Sequence, residues 1–224
     1  IADQVAASDG QRYVLTDGGT LWQRMFYLHG YRETLEDLVL QPERCTALRD
    51  LILSVMLPRV ERLAALPGLD GIHFRDDWGT QTSLMISPRL WRSFFGPAYE
   101  RLFAAARAGG KHVWLHSDGA IVAIIPELID LGVQVLNPQV PVIGRERLAG
   151  LCAGRVCIQD DIDRQGLLPF GTPDAIRAAV RADIDAFAWP AGGYIGNGEI
   201  AGDVPLANAE AMLDAIRRYG VYAD

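Results

Sequence analysis

Three features of the chain predict an α/β fold built on parallel strands. Short apolar runs rich in β-formers alternate with polar or Gly-containing loops and then amphipathic segments, which is the rhythm of βα units. Ser87-Pro88 and Thr172-Pro173 each set an N-capping hydroxyl before a proline at the first helical position, so helices start where that rhythm needs them. With 50% hydrophobic and 22% charged residues, 224 residues can bury a sizeable core, and a single globular domain over 1–224 is expected.

Taken in order, Arg12-Tyr13-Val14-Leu15 is the first strand signal, followed by helical spacing over Leu21–His29, Leu35–Leu40 and Glu43–Leu66. Gly71-Ile72-His73-Phe74 is the second strand. Ser87-Pro88 opens a helix whose Leu90, Trp91, Phe94, Phe95, Leu102 and Phe103 recur at helical spacing; Pro97 is expected to kink it and Gly109-Gly110 to stop it. Lys111–Leu115, Val133–Asn137 and Arg155–Ile158 are the next strands, separated by helices over Ile121–Leu131 and Arg145–Cys152. Thr172-Pro173-Asp174 begins a helix through Ile176, Val180, Ile184 and Phe187. Gly193-Tyr194-Ile195 is the last strand, and a helix over Pro205–Tyr219 stops at Gly220. A closed (β/α)8 barrel needs eight strands and usually ~250 residues, more than this inventory supplies. No GxGxxG or GxxxxGK[ST] follows any strand, which disfavours an open doubly wound nucleotide-binding sheet, so an incomplete barrel is the preferred architecture.

Charge and composition exclude several function classes. The net charge of −7 repels phosphate backbones and anionic lipid surfaces, so no nucleic-acid partner is expected. No apolar run approaches the ~20 residues of a membrane span and residues 1–10 lack a signal-peptide pattern, which together point to a cytoplasmic protein. Cys45, Cys152 and Cys157 are odd in number and have no CxxC spacing, so they read as small buried hydrophobes and not as a disulfide framework or thiolate zinc site. Lys111 is the only lysine, which removes most candidates for a Schiff-base nucleophile. The chain begins with Ile1, and a further segment upstream is expected.

In parallel α/β folds the site lies beyond the carboxyl ends of the strands, and here those positions are rich in chemistry. They read Arg75-Asp76-Asp77-Trp78-Gly79-Thr80-Gln81, His116-Ser117-Asp118-Gly119, Asn137-Pro138-Gln139, Gln159-Asp160-Asp161-Ile162-Asp163 and Gly196-Asn197-Gly198-Glu199. Crowded carboxylates raise one another's pKa unless a metal, an arginine or a cationic substrate neutralises them, and either outcome is useful for acid–base or metal chemistry. Asp and Asn after a strand are also ordinary caps and turn formers, the plain alternative for Asp160, Asp161 and Asp163. His116 ends an apolar strand and precedes a small-polar-Gly turn that points its ring into the mouth, whereas His29, His73 and His112 are not so placed. His116, Asp118, Asp76 and Asp77 are the candidate catalytic residues, and Arg75, Trp78, Gln81, Asn137, Gln139 and Asp161 the candidate substrate contacts. For a metal, His116 and Asp118 need a third ligand, for which Glu199 is the candidate.

The run Asp76-Asp77-Trp78-Gly79-Thr80-Gln81, the helix start Ile86-Ser87-Pro88 with Phe94-Phe95-Gly96-Pro97-Ala98-Tyr99, and Leu115-His116-Ser117-Asp118-Gly119 resemble the uroporphyrinogen decarboxylase superfamily. The likeness continues through Leu136-Asn137-Pro138, Asp161-Ile162-Asp163, Leu168-Pro169-Phe170-Gly171-Thr172-Pro173 and Asp203-Val204-Pro205 with Asn208, in order along nearly the whole chain. The resemblance implies a (β/α)8 TIM barrel of the uroporphyrinogen decarboxylase type, lacking its N-terminal strands here, the chain being the C-terminal two-thirds of the family's length. The superfamily holds cofactor-free decarboxylases and zinc-bearing, corrinoid-linked methyltransferases. The decarboxylases' pyrrole-contacting aspartate and acid-binding arginines lie in an N-terminal part outside this chain, and their histidine before the last helix corresponds to Gly198. In the methyltransferases the matching strand end reads His-x-Cys with a second cysteine near Gly198; here His116 matches, Asp118 replaces the first cysteine, and Gly198, beside Glu199, replaces the second. A thiolate centre has become an oxygen-rich one, suited to zinc or another divalent metal of harder character.

The leading expectation is methyl transfer or demethylation of a small-molecule substrate, with a corrinoid carried by a partner protein. The second is decarboxylation of uroporphyrinogen or a related acid with no cofactor, in which Arg75 is the clamp. The third is a non-catalytic tetrapyrrole-binding module. A barrel lacking strands exposes sheet edges, so a second copy of the chain or an N-terminal segment is expected to cover them.

Overall fold

The computed structural model describes residues 1, 4–5, 10–189 and 192–221. They form two compact units, Ile1–Gln134 and Val135–Asp224. In the first unit the order is β1 (Leu15–Gly19), α1 (Trp22–His29), α2 (Tyr31–Leu40), α3 (Pro42–Ala64), β2 (Gly71–Arg75), α4 (Pro88–Phe94), α5 (Gly96–Ala108), β3 (His112–Ser117), a 3-10 turn (Val122–Ile124) and α6 (Ile125–Asp130). In the second it is β4 (Val135–Pro138), α7 (Val140–Ile143), α8 (Arg145–Cys152), β5 (Cys157–Asp160), α9 (Leu167–Phe170), α10 (Pro173–Phe187), β6 (Tyr194–Gly196) and α11 (Leu206–Tyr219).

All strand pairing within the units is parallel, as the βα rhythm requires. In the first, Leu15 lies opposite Gly71 and Gly71 opposite His112, a register that ends with Arg75 beside His116. In the second, Val135 lies opposite Cys157 and Asp160 opposite Gly196. β3 is buried over Val113, Trp114 and Leu115, the continuous apolar run of a strand covered on both faces. Helix α3 turns Cys45, Ile52, Met56, Val60 and Leu63 inward at helical spacing, and the second unit's core joins Ile176, Val180 and Ile184 of α10 to Ala211, Met212 and Ala215 of α11.

The capping expectations hold at atomic level: Ser87 Oγ accepts the Leu90 N–H and Thr172 Oγ1 the Ala175 N–H, each at 3.2 Å. The expected long helix kinked at Pro97 is instead two helices. The chain breaks at Phe95, and Pro97 falls in the first turn of α5, where its missing N–H costs nothing. Among the described residues no helix is long and apolar enough to cross a membrane.

Candidate functional site

The first unit's sheet register builds the site. Because Arg75 ends β2 opposite His116, the next residues, Asp76 and Asp77, run beside Ser117 and Asp118. The two strand exits are joined by Asp76 N–H to the His116 carbonyl at 3.1 Å and Gly79 N–H to the Asp118 carbonyl at 3.2 Å. They approach so closely at Gly79 and Gly119 that a Cβ on Gly79 would stand 2.4 Å from the Ala120 nitrogen, and Gly119 has φ +81°. Only glycine fits either position without moving backbone.

This juxtaposition brings Asp77, His116 and Asp118 together, one ligand atom from each lying within 4.8 Å of the others. His116 Nε2 is 3.5 Å from Asp77 Oδ1 and 3.7 Å from Asp118 Oδ1. The Asp118 backbone N–H donates to Asp77 Oδ1 at 3.0 Å, and the Gln23 amide donates to Asp77 Oδ2 at 2.8 Å. Side-chain exposures of 34%, 18% and 32% for Asp77, His116 and Asp118 leave the trio reachable from solvent. Ligand atoms around a tetrahedral centre with bonds of about 2.0–2.2 Å stand about 3.3–3.6 Å apart, close to the separations of His116 Nε2 from the two aspartate oxygens, so the donors are of the right kind and spacing to gather around a divalent ion. Three protein ligands with a remaining open position is the pattern of a catalytic rather than a structural metal site. Among the described residues no other His, Cys, Asp or Glu grouping of three or more meets this spacing.

Asp76 takes another task. It is 1% exposed, and its oxygens accept the Leu21 N–H at 2.7 Å, the Gln23 N–H at 2.8 Å and the Tyr99 hydroxyl at 2.5 Å. It therefore caps the start of α1 from a distant strand, where the helix dipole favours its charge. Burial nevertheless pushes its pKa up to about 6, against the pull of those donors. Trp78, expected to touch substrate, is fully buried: it stacks on Trp22 with ring centroids 4.9 Å apart and meets Phe95 edge-on at 4.5 Å. Its side chain thus belongs to the aromatic core, while its backbone N–H donates to Ser117 Oγ at 3.0 Å. Arg75 is half-exposed and pairs with Asp17 at 3.0 Å, and Gln81 lies exposed in the loop closed by the Gly79–Leu84 bridge.

The remaining expected residues belong to the second unit. The Asn137 amide donates to the Gln159 carbonyl and to Asp161 Oδ2, both at 3.0 Å, and the Asn197 amide donates to Asp161 Oδ1 at 2.9 Å. Gln139 donates to Gln165 at 3.0 Å. Glu199, the expected third ligand, pairs with Arg164 at 3.0 Å; the carboxylate grouped with His116 and Asp118 is that of Asp77. Asp160 and Asp183 are both buried and share a hydrogen bond, and desolvation with mutual repulsion lifts Asp160 well above the usual carboxylate range. Ile162, two residues on, has φ +51°, a strained conformation for a β-branched side chain. Cys45 and Cys152 are buried as expected and Cys157 is partly buried, desolvation pushing Cys152 up to about 12 and Cys157 up to about 11. His29 is held by Asp37 and His112 by Tyr13, each at 2.8 Å.

Sequence reasoning missed Gln23. It precedes Asp77 by more than fifty residues and has no motif around it; only the capping of α1 by Asp76 brings it to the site.

A family model described as uroporphyrinogen decarboxylase (URO-D) matches residues 18–219. The chain belongs to that family. No curated protein matches it. Among solved structures, this URO-D chain is similar to a methyltransferase from Methanosarcina mazei at 16% identity and TM-score 0.70, covering 92% of the chain. It spans 59% of that methyltransferase's length. A glycosylated endo-β-1,4-xylanase of glycoside hydrolase family 10 from Gloeophyllum trabeum is similar at 12% identity and TM-score 0.50, over 75% of this chain and 67% of that one. These likenesses are of fold: the parallel α/β architecture is that of a URO-D-type barrel, of which the described residues supply six strands.

Proposed function

We propose that this chain carries the reaction centre of a methyl-transferring enzyme of the URO-D family, in which Asp77, His116 and Asp118 hold a divalent metal. The observation that carries the reading is the grouping of those three ligand atoms at a solvent-reachable strand exit. The methyltransferase likeness supports methyl transfer over decarboxylation. So does Arg75, the expected clamp for an acid substrate, which is already engaged by Asp17. As in the resembling methyltransferases, a corrinoid on a partner protein would carry the methyl group.

His116 Nε2, Asp77 Oδ1 and Asp118 Oδ1 would hold the ion, zinc or a harder divalent metal, since two carboxylates replace thiolates. When bound, the ion would supply Lewis acidity to the small-molecule acceptor or donor. The chain's own residues do the rest. Asp118 orients Asp77 through its backbone N–H, and the Trp22 indole, stacked on Trp78, holds the Asp77 carbonyl in place.

Elemental analysis of protein purified without chelator tests the reading, native against His116→Ala. About one metal per chain is expected in the native protein and none in the variant, with methyl transfer from a methylated corrinoid protein lost in parallel. Native protein free of metal, or a variant retaining full transfer rate, would overturn it in favour of acid–base chemistry or tetrapyrrole binding at His116.

A further inference from the structure

Asp77 is gripped by the first turn of α1 at two points. The Trp22 indole N–H donates to the Asp77 carbonyl at 3.1 Å, and the Gln23 amide donates to Asp77 Oδ2 at 2.8 Å. That turn is itself immobilised: Asp76 holds the Leu21 and Gln23 N–H groups, Tyr99 holds Asp76, and Trp22 is stacked on Trp78. The two oxygens of Asp77 therefore face different partners. Oδ2 accepts the Gln23 amide, while Oδ1 accepts the Asp118 N–H at 3.0 Å and faces His116 Nε2, 3.5 Å away.

We infer that Gln23 is a positioning residue: by holding Oδ2, it restricts Asp77 to ligation through Oδ1 alone and so keeps a coordination position open for substrate. This rests on the metal-centre reading above. The physical reason is the orientation of the carboxylate plane. A carboxylate free to rotate can swing both oxygens onto an ion, raising the coordination number and closing the site, whereas one anchored at Oδ1 by the Asp118 N–H and at Oδ2 by the Gln23 amide is held in one plane with Oδ1 toward His116 and cannot turn without straining both bonds. Gln serves better than a cation here, because a neutral donor orients the carboxylate without cancelling the charge that attracts the ion. Its position in the first turn of a capped helix fixes its backbone, so little entropy is lost in holding the contact.

The test uses cobalt(II), whose visible bands are intense in four-coordinate sites and weaken as coordination rises. Cobalt affinity and spectrum are measured for the native chain, for Gln23→Leu and for Gln23→Met, which keeps the length of the side chain without its donor. The native protein is expected to show intense bands. Both variants are expected to lose about 10–100-fold in affinity, the usual effect of removing a supporting partner, and to show weakened bands when saturated. Variants with native affinity and bands, or with lower affinity but native bands, would overturn the positioning role while leaving the metal centre standing. Native protein that takes up no cobalt would overturn the centre itself, and the positioning role with it. Gln23→Met decides the matter should Gln23→Leu fail to fold.

Discussion

The chain writes Asp-Asp twice at a strand exit, as Asp76-Asp77 after β2 and Asp160-Asp161 at the end of β5, and the two pairs meet opposite surroundings. In both, the first aspartate is buried and receives a tyrosine hydroxyl, from Tyr99 at 2.5 Å and from Tyr194 at 3.3 Å, while the second is more open. The difference lies in what else the buried member meets. Asp76 faces the N-terminal N–H groups of α1, whereas Asp160 faces a second carboxyl, Asp183, itself paired with Arg145 at 2.5 Å. Asp76 is thus a cap that delivers Gln23 to Asp77, and Asp160 is half of a carboxyl pair. The open partners diverge accordingly: Asp77 joins His116 and Asp118, while Asp161 is saturated by Asn137, Asn197 and Arg164. A buried polar residue decides what its exposed neighbour is free to do.

Replacing each buried aspartate by asparagine separates the two cases most strongly. Asp76 accepts from three donors through two oxygens, and an asparagine would turn an N–H group toward one of them. Asp76→Asn is expected to cost about 2–3 kcal/mol, the price of a buried donor left unsatisfied. Asp160→Asn can donate to Asp183 while still accepting the Ile162 N–H, so it is expected to stay within about 1 kcal/mol of the native protein. Urea unfolding of both variants checks the ordering. Equal losses would mean that the carboxyl pair depends on its ionised form as the cap does.

The pH dependence sharpens the same contrast. Burial raises the folded pKa of Asp76 from 3.8 to about 6, and Asp160 and Asp183 shift in the same direction. The folded state therefore holds these protons more tightly than the unfolded chain does. Their contribution to stability is fully present below pH 3.8 and is lost as pH rises through about 6 for Asp76 and through the raised range of the carboxyl pair. Each such proton contributes a slope of up to about 1.4 kcal/mol per pH unit. Asp160→Asn should flatten the decline in the second unit, and hydrogen exchange followed from pH 4 to 8 should locate that flattening in β5 and α10, leaving the first unit's profile unchanged.

How much of this was legible in the sequence follows from what each signal depends on. Strands β2 to β6 and their exits were readable because they leave short apolar runs, and His116 and Asp118 because they stand at one such exit; the first strand, expected over Arg12–Leu15, runs instead over Leu15–Gly19, where Asp17, Gly18 and Gly19 leave no apolar run. Short helices such as Val140–Ile143 and Leu167–Phe170 were not, since a single turn carries no periodicity. Trp78 read as a site residue because its neighbours are polar, yet the side chain turns away from them into the aromatic core. Asp76 and Asp77 were indistinguishable in sequence. Only the approach of α1 tells them apart, and that same tertiary contact is what brought Gln23 to the site.

The smallest expected effect concerns Glu199, whose carboxylate the sequence could not distinguish from a metal ligand. It is 60% exposed and paired with Arg164 at 3.0 Å. Exposed ion pairs contribute about 0–1 kcal/mol, because solvent screens the attraction and two long side chains lose rotamer freedom to make it. Glu199→Gln is accordingly expected to change unfolding free energy by less than about 0.5 kcal/mol. Since Asp77 completes the proposed three-ligand set with His116 and Asp118, cobalt affinity should stay within about twofold of native, well below the ~10–100-fold cost of losing even a supporting residue. A tenfold loss of cobalt affinity in Glu199→Gln with unfolding unchanged would instead make Glu199 part of the centre, and the contrast between the open first pair and the saturated second would fall.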